Sequence, residues 1–368
     1  MTAGRLRRVT TGAWTVGAQV RPELRLALDA MGGDRAPGMV VAGAEIARAR
    51  HPNVRFLFVG DQARIKPLID RLPALAAVSE LLHTTEVVTS DAKPSIALRA
   101  GRQSSMRLAI NAVEEGAADA MVSAGNTGAL MAMAKFVLKT APGIDRPAIA
   151  TVLPTPRGQS VMLDLGANVD CDANNLVQFA IMGEVFARTM LGLERPTIGL
   201  LNVGSEEQKG HEEVRAAHAL LRENKLNLAY QGFVEGDDIT GGKVDVIVTD
   251  GFTGNVALKA AEGTARLYAQ LLREAFSSSL MAKLGYALAR PALTRVRKRV
   301  DPRRYNGAIL LGLNGIAIKS HGGTDAVGFA HAIGVAISLS AVGVVGRIQD
   351  ELQRFGANLQ AAPRTAAG

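Results

Sequence analysis

Short, nearly uninterrupted apolar runs set between stretches of helical spacing constrain this chain more than any single motif. The runs fall at 24–28, 54–59, 119–123, 147–153, 160–164, 197–201, 244–248 and 316–319. Helical patterns intervene at 38–50, 104–115, 127–139, 174–190, 211–223, 254–275 and 325–349. A strand with one face in water alternates polar and apolar residues, whereas a continuous apolar run needs cover on both faces. The alternation therefore predicts a doubly wound, three-layer α/β/α domain. At 368 residues the chain can bury a large core, and no repeat, low-complexity tract or linker divides it. A single domain is expected over 24–350, after a basic, disordered extension (1–23) and before a tail (351–368).

One segment breaks the alternation. From Ala275 to Arg304 two helical stretches follow each other, with the break placed at Arg290–Pro291. Phe276, Leu280, Leu284 and Leu288 recur every four residues in the first, and Leu293, Val296 and Val300 mark the second. An inserted helical hairpin is expected. Charge concentrates there too: residues 290–304 carry +6, residues 1–25 carry +4, and the remainder is close to neutral within a total of +8. The high pI thus reports two local patches. An ordinary packed helix pair with a solvated basic face would show the same pattern.

The longest apolar stretch, 331–346, is too short for a membrane span and reads as a buried helix. The N-terminal residues lack the continuous apolar core of a signal peptide. A single cysteine forbids an internal disulfide, as suits a reducing cytoplasm.

Polar groups collect where the strands end. The first is "LALDAMGGDRAP", which supplies Asp29, Gly32, Gly33 and Asp34. Glycines after a strand let backbone amides approach an anion, but the spacing matches neither dinucleotide nor Walker signatures. Later loops supply Asn126 and Thr127; Asp164, Asn168 and Asp170; Asn202, Ser205, Glu206, Lys209 and His211; Asp250, Thr253 and Asn255; and Lys319, Ser320, His321, Thr324 and Asp325. In an open α/β sheet such loops converge on a crevice beyond the carboxyl ends of the strands. Asn amides, glycine-loop N–H groups and lysine bind oxyanions or phosphate, whereas a nucleophilic triad needs an activated Ser or Cys. No G-x-S-x-G elbow, C-x-x-C or H-E-x-x-H occurs, and Cys171 sits between Asp170 and Asp172 with no cation to activate it. Of the six histidines, His321 alone stands at a strand end beside a double glycine.

"LDAMGGD", "VSAGNTGALMA", "LDLGANVDC", "GLLNVGSEEQKG", "FVEGDDI", "DVIVTDGFTGNVALK" and "LLGLNGIAIKSHG" occur in that order between Leu24 and Gly346. Together they resemble the phosphate acyltransferases of bacterial phospholipid synthesis, the PlsX family. The resemblance implies a fold like those of phosphotransacetylases and of isocitrate and isopropylmalate dehydrogenases. It implies transfer of a fatty acyl group from acyl carrier protein to inorganic phosphate, with no cofactor or metal and no nucleic acid. It also implies a cytoplasmic homodimer, peripherally associated with the membrane, whose product a membrane glycerol-3-phosphate acyltransferase of the PlsY type consumes. Departures from the pattern are the basic leader, "DANN" at 172–175 and "YNGA" at 305–308.

On this reading phosphate attacks the thioester directly, and Asn126 or loop amides hold the oxyanion. Lys319, with Lys209 as second candidate, offsets phosphate charge, while His321 orients phosphate or protonates the leaving thiolate. Asp250 and Asn255 complete the catalytic set. Asp29, Gly32, Gly33, Asp34, Thr127, Asn168, Asn202, Ser205, Glu206 and Lys209 are expected to bind phosphate or substrate. In the hairpin, Leu280, Leu284, Leu288, Arg295, Arg297, Lys298 and Arg299 are expected to meet membrane or acyl carrier protein. Two rivals remain at this point. A metal- and NAD-dependent decarboxylating dehydrogenase would need carboxylates where Asn255–Lys259 stand. A non-enzymatic membrane or nucleic-acid binder would use the basic hairpin, which has no aromatic platform beside it.

Overall fold

The computed structural model describes residues 23–223, 228–299 and 301–361. Residues 1–22 of the extension and 362–368 of the tail named above lie outside them. Eleven strands form one sheet: β1 (Leu24–Asp29), β2 (Val54–Gly60), β3 (Ser79–His83), β4 (Ala120–Ser123), β5 (Ala148–Thr155), β6 (Gly158–Leu163), β7 (Thr197–Leu201), β8 (Ala229–Val234), β9 (Val246–Val248), β10 (Ala308–Leu311) and β11 (Ile316–Lys319). Their order is β3-β2-β1-β4-β11-β10-β5-β6-β9-β7-β8. The helices are α1 (Gly38–Arg50), α2 (Gln62–Ile69), α3 (Pro73–Ala76), α4 (Pro94–Ala100), α5 (Ser105–Glu114), α6 (Thr127–Leu138), α7 (Ala173–Leu191), α8 (Glu212–Arg222), α9 (Gly236–Gly241), α10 (Gly251–Ser277), α11 (Leu280–Arg299), α12 (Ala326–Val342) and α13 (Val344–Ala361).

The central strands are buried on both faces, as their continuous apolar runs require. Leu26, Leu28, Val122 and Ile318 face a core built with α1, α7, α8 and α12. Ala27, Met121 and Ala317 face a second core built with α5, α6 and α9, against which Ala257 and Leu258 of α10 also pack. Three strands carry no such run. β3 and β8 are edge strands, β3 mostly exposed and β8 half-covered, and β10 is only four residues long.

β10 has a consequence for the site, because it pairs antiparallel with both β11 and β5, and β5 pairs antiparallel with β6. The strands β1, β4 and β11 are parallel to one another, as are β6, β9, β7 and β8, but the two groups point in opposite directions. The polar loops therefore divide between two edges of the sheet instead of converging on a single crevice.

The helix expected at 325–349 is two helices, α12 and α13, bent by 52° at Gly343, whose left-handed φ of 64° ends the first. Among the described residues no single helix is long and apolar enough to cross a membrane. The hairpin is made by α10 and α11, so its first arm begins at Gly251 and its turn lies at Ser278–Ser279. Pro291 falls inside α11. Phe276 consequently does not share a stripe with Leu280; its ring packs across the turn on Tyr286, 5.4 Å between centroids. Leu280, Leu284 and Leu288 are 84%, 55% and 79% exposed, which leaves an apolar face without cover in the monomer.

Candidate active site

The adjacent strands β1, β4 and β11 bring three of the predicted loops together. The amide of Asp34 donates to the Gly322 carbonyl at 3.1 Å, tying the first loop to the last. At Gly32 an added Cβ would lie 2.8 Å from the Gly125 nitrogen, so the first and second loops touch backbone to backbone. Gly33 adopts a φ of +101°, which glycine alone tolerates without strain. The sequence needs its paired glycine here because two loops share the space that a side chain would fill.

Asp29 lies beneath this turn and is 1% exposed. Its carboxylate accepts the hydroxyls of Ser105 and Ser123, both at 2.6 Å, and the Met31 amide at 3.4 Å. Burial pushes its pKa above the usual carboxylate range, and these hydrogen bonds oppose the shift. Asp29 thus supports the glycine turn from below, without reaching a ligand as expected from sequence.

Asn126 is placed at the mouth of α6, but its carboxamide is fully committed. Its Oδ1 accepts the Ala129 amide at 2.9 Å as the helix cap, and its Nδ2 donates to the carbonyls of Ser90 and Ala92 at 2.8 and 3.0 Å. No donor remains for an oxyanion, which corrects the role expected of this side chain. The backbone amides of Thr127 and Gly128, in the open first turn of α6, face outward at the same place. Asn126→Ala is accordingly expected to cost about 1–2 kcal/mol of stability, the usual worth of a cap, with kcat changed less than about tenfold. Urea unfolding and steady-state kinetics check this; a hundredfold fall in kcat would restore the side chain to the chemistry.

Lys319 ends β11 on the face covered by α5, α6 and α10, where it is largely enclosed. Its ammonium donates to the Ser320 carbonyl. Burial drops its pKa to about 8; the charge of Lys259 pushes the same way, and Asp29 and Asp34 oppose. His321 follows it. Its Nδ1 accepts the Gly323 amide at 3.1 Å, which leaves the proton of the neutral ring on Nε2 as an outward donor. Burial and the charges of Lys259 and Lys319 lower its pKa below the ordinary histidine range, with Glu262 and Asp34 opposing. A neutral Nε2–H donor suits orientation of an anion better than donation of a proton to a thiolate.

Lys259 closes the "DVIVTDGFTGNVALK" stretch, but its place nine residues beyond Asp250, within a helix, does not mark it as a site residue. It reaches the site because α10 starts at the β9 end, on the opposite edge, and runs back across the sheet face, about 13 Å from Asp250 to Lys259 at helical rise. Asn306, in the "YNGA" stretch that departs from the family pattern, holds the His321 loop. Its Nδ2 donates to Ser320 Oγ and the Gly328 carbonyl, both at 2.8 Å, and its Oδ1 accepts the His321 amide at 2.9 Å. Ser105 carries no motif, whereas Ser123 lies in "VSAGNTGALMA" and closes an apolar strand, a signal that could have marked it.

The remaining predicted residues serve other ends. Asp250 caps α10, accepting the Thr253 amide at 2.8 Å and its hydroxyl at 2.7 Å. Asn168 is buried, and its Nδ2 donates to the Pro147 carbonyl at 2.8 Å and to Asp164 at 2.9 Å. Asn255 is exposed above Gly166 on the first turns of α10. Asn202 closes its own loop, donating to the Lys209 carbonyl at 3.0 Å. Ser205, Glu206 and Lys209 are exposed on that loop, five strands from β11, or about 24 Å across the sheet. Lys209 is therefore not the partner of Lys319, and Lys259 takes that place. Cys171, its pKa raised to about 12 chiefly by burial, is an inert thiol. Arg295 is exposed on α11, while the side chains of Arg297, Lys298 and Arg299 lie outside those described.

The geometry is that of a small anion site: a glycine turn, an open helix N-terminus, two lysines and a histidine N–H. A family model described as fatty acid synthesis protein matches residues 24–347. A phosphate acyltransferase of Rhodospirillum centenum is 68% identical over 337 residues, covering 92% of this chain and 95% of the relative. That of Rhodospirillum rubrum is 61% identical, covering 94% and 97%. Among solved structures, a phosphotransacetylase from Streptococcus pyogenes shares the fold with a TM-score of 0.59 at 17% identity, over 86% of this chain and 94% of that one. Identity at this level over nearly the whole length, together with the match of the family model, places the chain in the phosphate acyltransferase family.

Proposed function

We propose that the protein transfers a fatty acyl group from acyl carrier protein to inorganic phosphate, releasing acyl phosphate for phospholipid synthesis. The observation that supports this reading is the Gly32–Gly33 turn tied to the Gly322 loop beside Lys319 and His321, with Lys259, itself paired with Glu262 at 2.9 Å, near enough to lower the pKa of both; such a site suits a free dianion with no nucleotide handle. Phosphate bound there is held by the two ammonium groups, the His321 Nε2–H and the turn amides. One phosphate oxygen adds to the thioester carbonyl carbon, and the amides of Thr127 and Gly128 receive the charge developing on the carbonyl oxygen. Collapse breaks the C–S bond and the thiolate leaves with the proton that the attacking phosphate gives up. A thiol of pKa about 8.5 is a good leaving group, so no strong general acid is needed. No acyl-enzyme forms.

The test is incubation of the pure protein with acyl-acyl carrier protein, with and without phosphate, and mass analysis for acyl phosphate. Hydrolysis that ignores phosphate, with no acyl phosphate formed, would overturn the reaction.

The exposed face of α10 and α11 supports an assignment to homodimer formation and to peripheral contact with the inner membrane surface, next to a PlsY-type acyltransferase that takes the product. Leu280, Leu284 and Leu288 would enter the interface, and Arg295 and its cationic neighbours would meet anionic headgroups, at about 1 kcal/mol each. Changing Leu280 and Leu288 to Asp is expected to abolish sedimentation with anionic vesicles while the soluble reaction keeps its kcat. Undiminished sedimentation would remove the hairpin from the membrane.

A further inference from the structure

Three helices that begin at the anion site carry a second cationic feature farther along. A cavity of about 450 Å³ opens between α4, α5 and α6, lined by Leu98, Arg99, Arg102, Arg107, Asn111 and Phe136 among others. Arg107 lies over the Phe136 ring, 5.1 Å from its centroid, and its Nε donates to Asn111 Oδ1 at 3.0 Å. Phe136 is nevertheless 62% exposed. Among the described residues no carboxylate pairs with Arg99, Arg102 or Arg107. Burial and the charge of Arg102 hold the Arg107 guanidinium below its ordinary pKa, so the like charges repel and are left uncompensated.

An open aromatic ring among guanidinium groups has the make-up of a binding hot spot, and the three cations run from α4 through the α4–α5 turn to α5, with Phe136 of α6 beside them. The feature is also connected to the site. Pro94 at the start of α4 lies 2.7 Å from where a Cβ on Gly128 would sit, Ser105 on α5 bonds Asp29, and Phe136 is nine residues along α6 from Thr127. Nine helical residues span about 13 Å. A phosphopantetheine arm, comparable to five extended residues, spans about 17 Å. Building on the reaction proposed above, we infer that the Arg99–Arg102–Arg107–Phe136 surface docks the acidic face of the acyl carrier protein, one arm's length from the phosphate site.

The experiment compares two donors, acyl-acyl carrier protein and acyl-pantetheine, which lacks the carrier. With both exposed arginines reversed (Arg99→Glu, Arg102→Glu), KM for the carrier substrate is expected to rise tenfold or more and to lose its dependence on salt. Kinetics with acyl-pantetheine should stay at the wild-type values. Phe136→Ala, which changes no charge, is expected to raise the carrier KM in the same selective way. An unchanged carrier KM in the double variant, or equal losses with both donors, overturns the docking surface. Failure of the wild-type protein to make acyl phosphate from either donor would instead defeat the reaction on which it rests.

Discussion

Replacing Lys319 by methionine is expected to raise the KM for phosphate about 10²- to 10³-fold, with the KM for the acyl donor little changed. The ammonium is enclosed at the end of β11, and phosphate bound beside it would form a desolvated ion pair. Truncating one partner of such a pair typically costs 2–5 kcal/mol, and 1.4 kcal/mol is a factor of ten. The methionine keeps the volume and apolar stem, so folding should survive. The same lysine fixes the pH dependence. Burial places its pKa at about 8 in the free enzyme, and only the protonated form attracts phosphate. As pH rises through that value the charge is lost, so kcat/KM for phosphate should fall about tenfold per pH unit above it. Bound phosphate favours the ammonium, which should move the corresponding break in kcat to higher pH. Lys319→Arg keeps its charge throughout and should abolish the break, at the cost of a forked group in place of a point charge. A Lys319→Met enzyme with normal phosphate KM would take this residue out of the site.

The sheet's interior and its turns were legible for one physical reason. A strand covered on both faces admits few polar residues, so β1, β4 and β11 show in the sequence as apolar runs, and the groups just after them stand out. What was not legible is strand direction. β10 is four residues long, Ala308–Leu311, and nothing in "AILL" says that it pairs antiparallel on both sides. Those two reversals cancel, and the third, in the β5–β6 hairpin, sends the Asn202–Lys209 loop to the other edge. Lys259 was hidden for the converse reason, since it acts from the middle of a helix that crosses the sheet, where a lysine reads as a solvated face. Asn126 and Asp250 were found by position but misjudged in role. An Asn or Asp before a helix serves as a cap as readily as it serves a ligand, and only the partners of each oxygen and nitrogen separate the two. Asn306 shows the limit of a family pattern, since a residue of the departing "YNGA" stretch proves to be the clasp of the His321 loop.

Asp164→Ala should be strongly destabilising, although it lies at the edge of the sheet opposite the site. This carboxylate is fully buried after β6. Oδ1 accepts the amides of Ile149, Gly166 and Ala167 at 2.9, 3.2 and 3.0 Å, and Oδ2 accepts the Asn168 amide at 2.7 Å and its Nδ2 at 2.9 Å. Removing it strands several buried donors, each worth about 1–3 kcal/mol when unsatisfied, so a loss of at least about 4 kcal/mol is expected even if water enters. That corresponds to a fall in Tm of about 6 °C or more, readable by calorimetry. The loop it holds also anchors α10. The Asn168 carbonyl accepts the Gly251 amide at 2.7 Å, and Gly254 passes so close to the Asp164 carbonyl that no Cβ fits. Asp164→Asn keeps one acceptor oxygen but turns an amide toward the same donors, so the loop should shift without unfolding. Because Lys259 lies only two to three turns along α10 from this anchor, that shift should raise the phosphate KM about tenfold and leave the acyl-donor KM alone. A lowered Tm with an unaltered phosphate KM would mean that α10 holds Lys259 in place without the loop, and that the two edges of the sheet are not coupled through this helix.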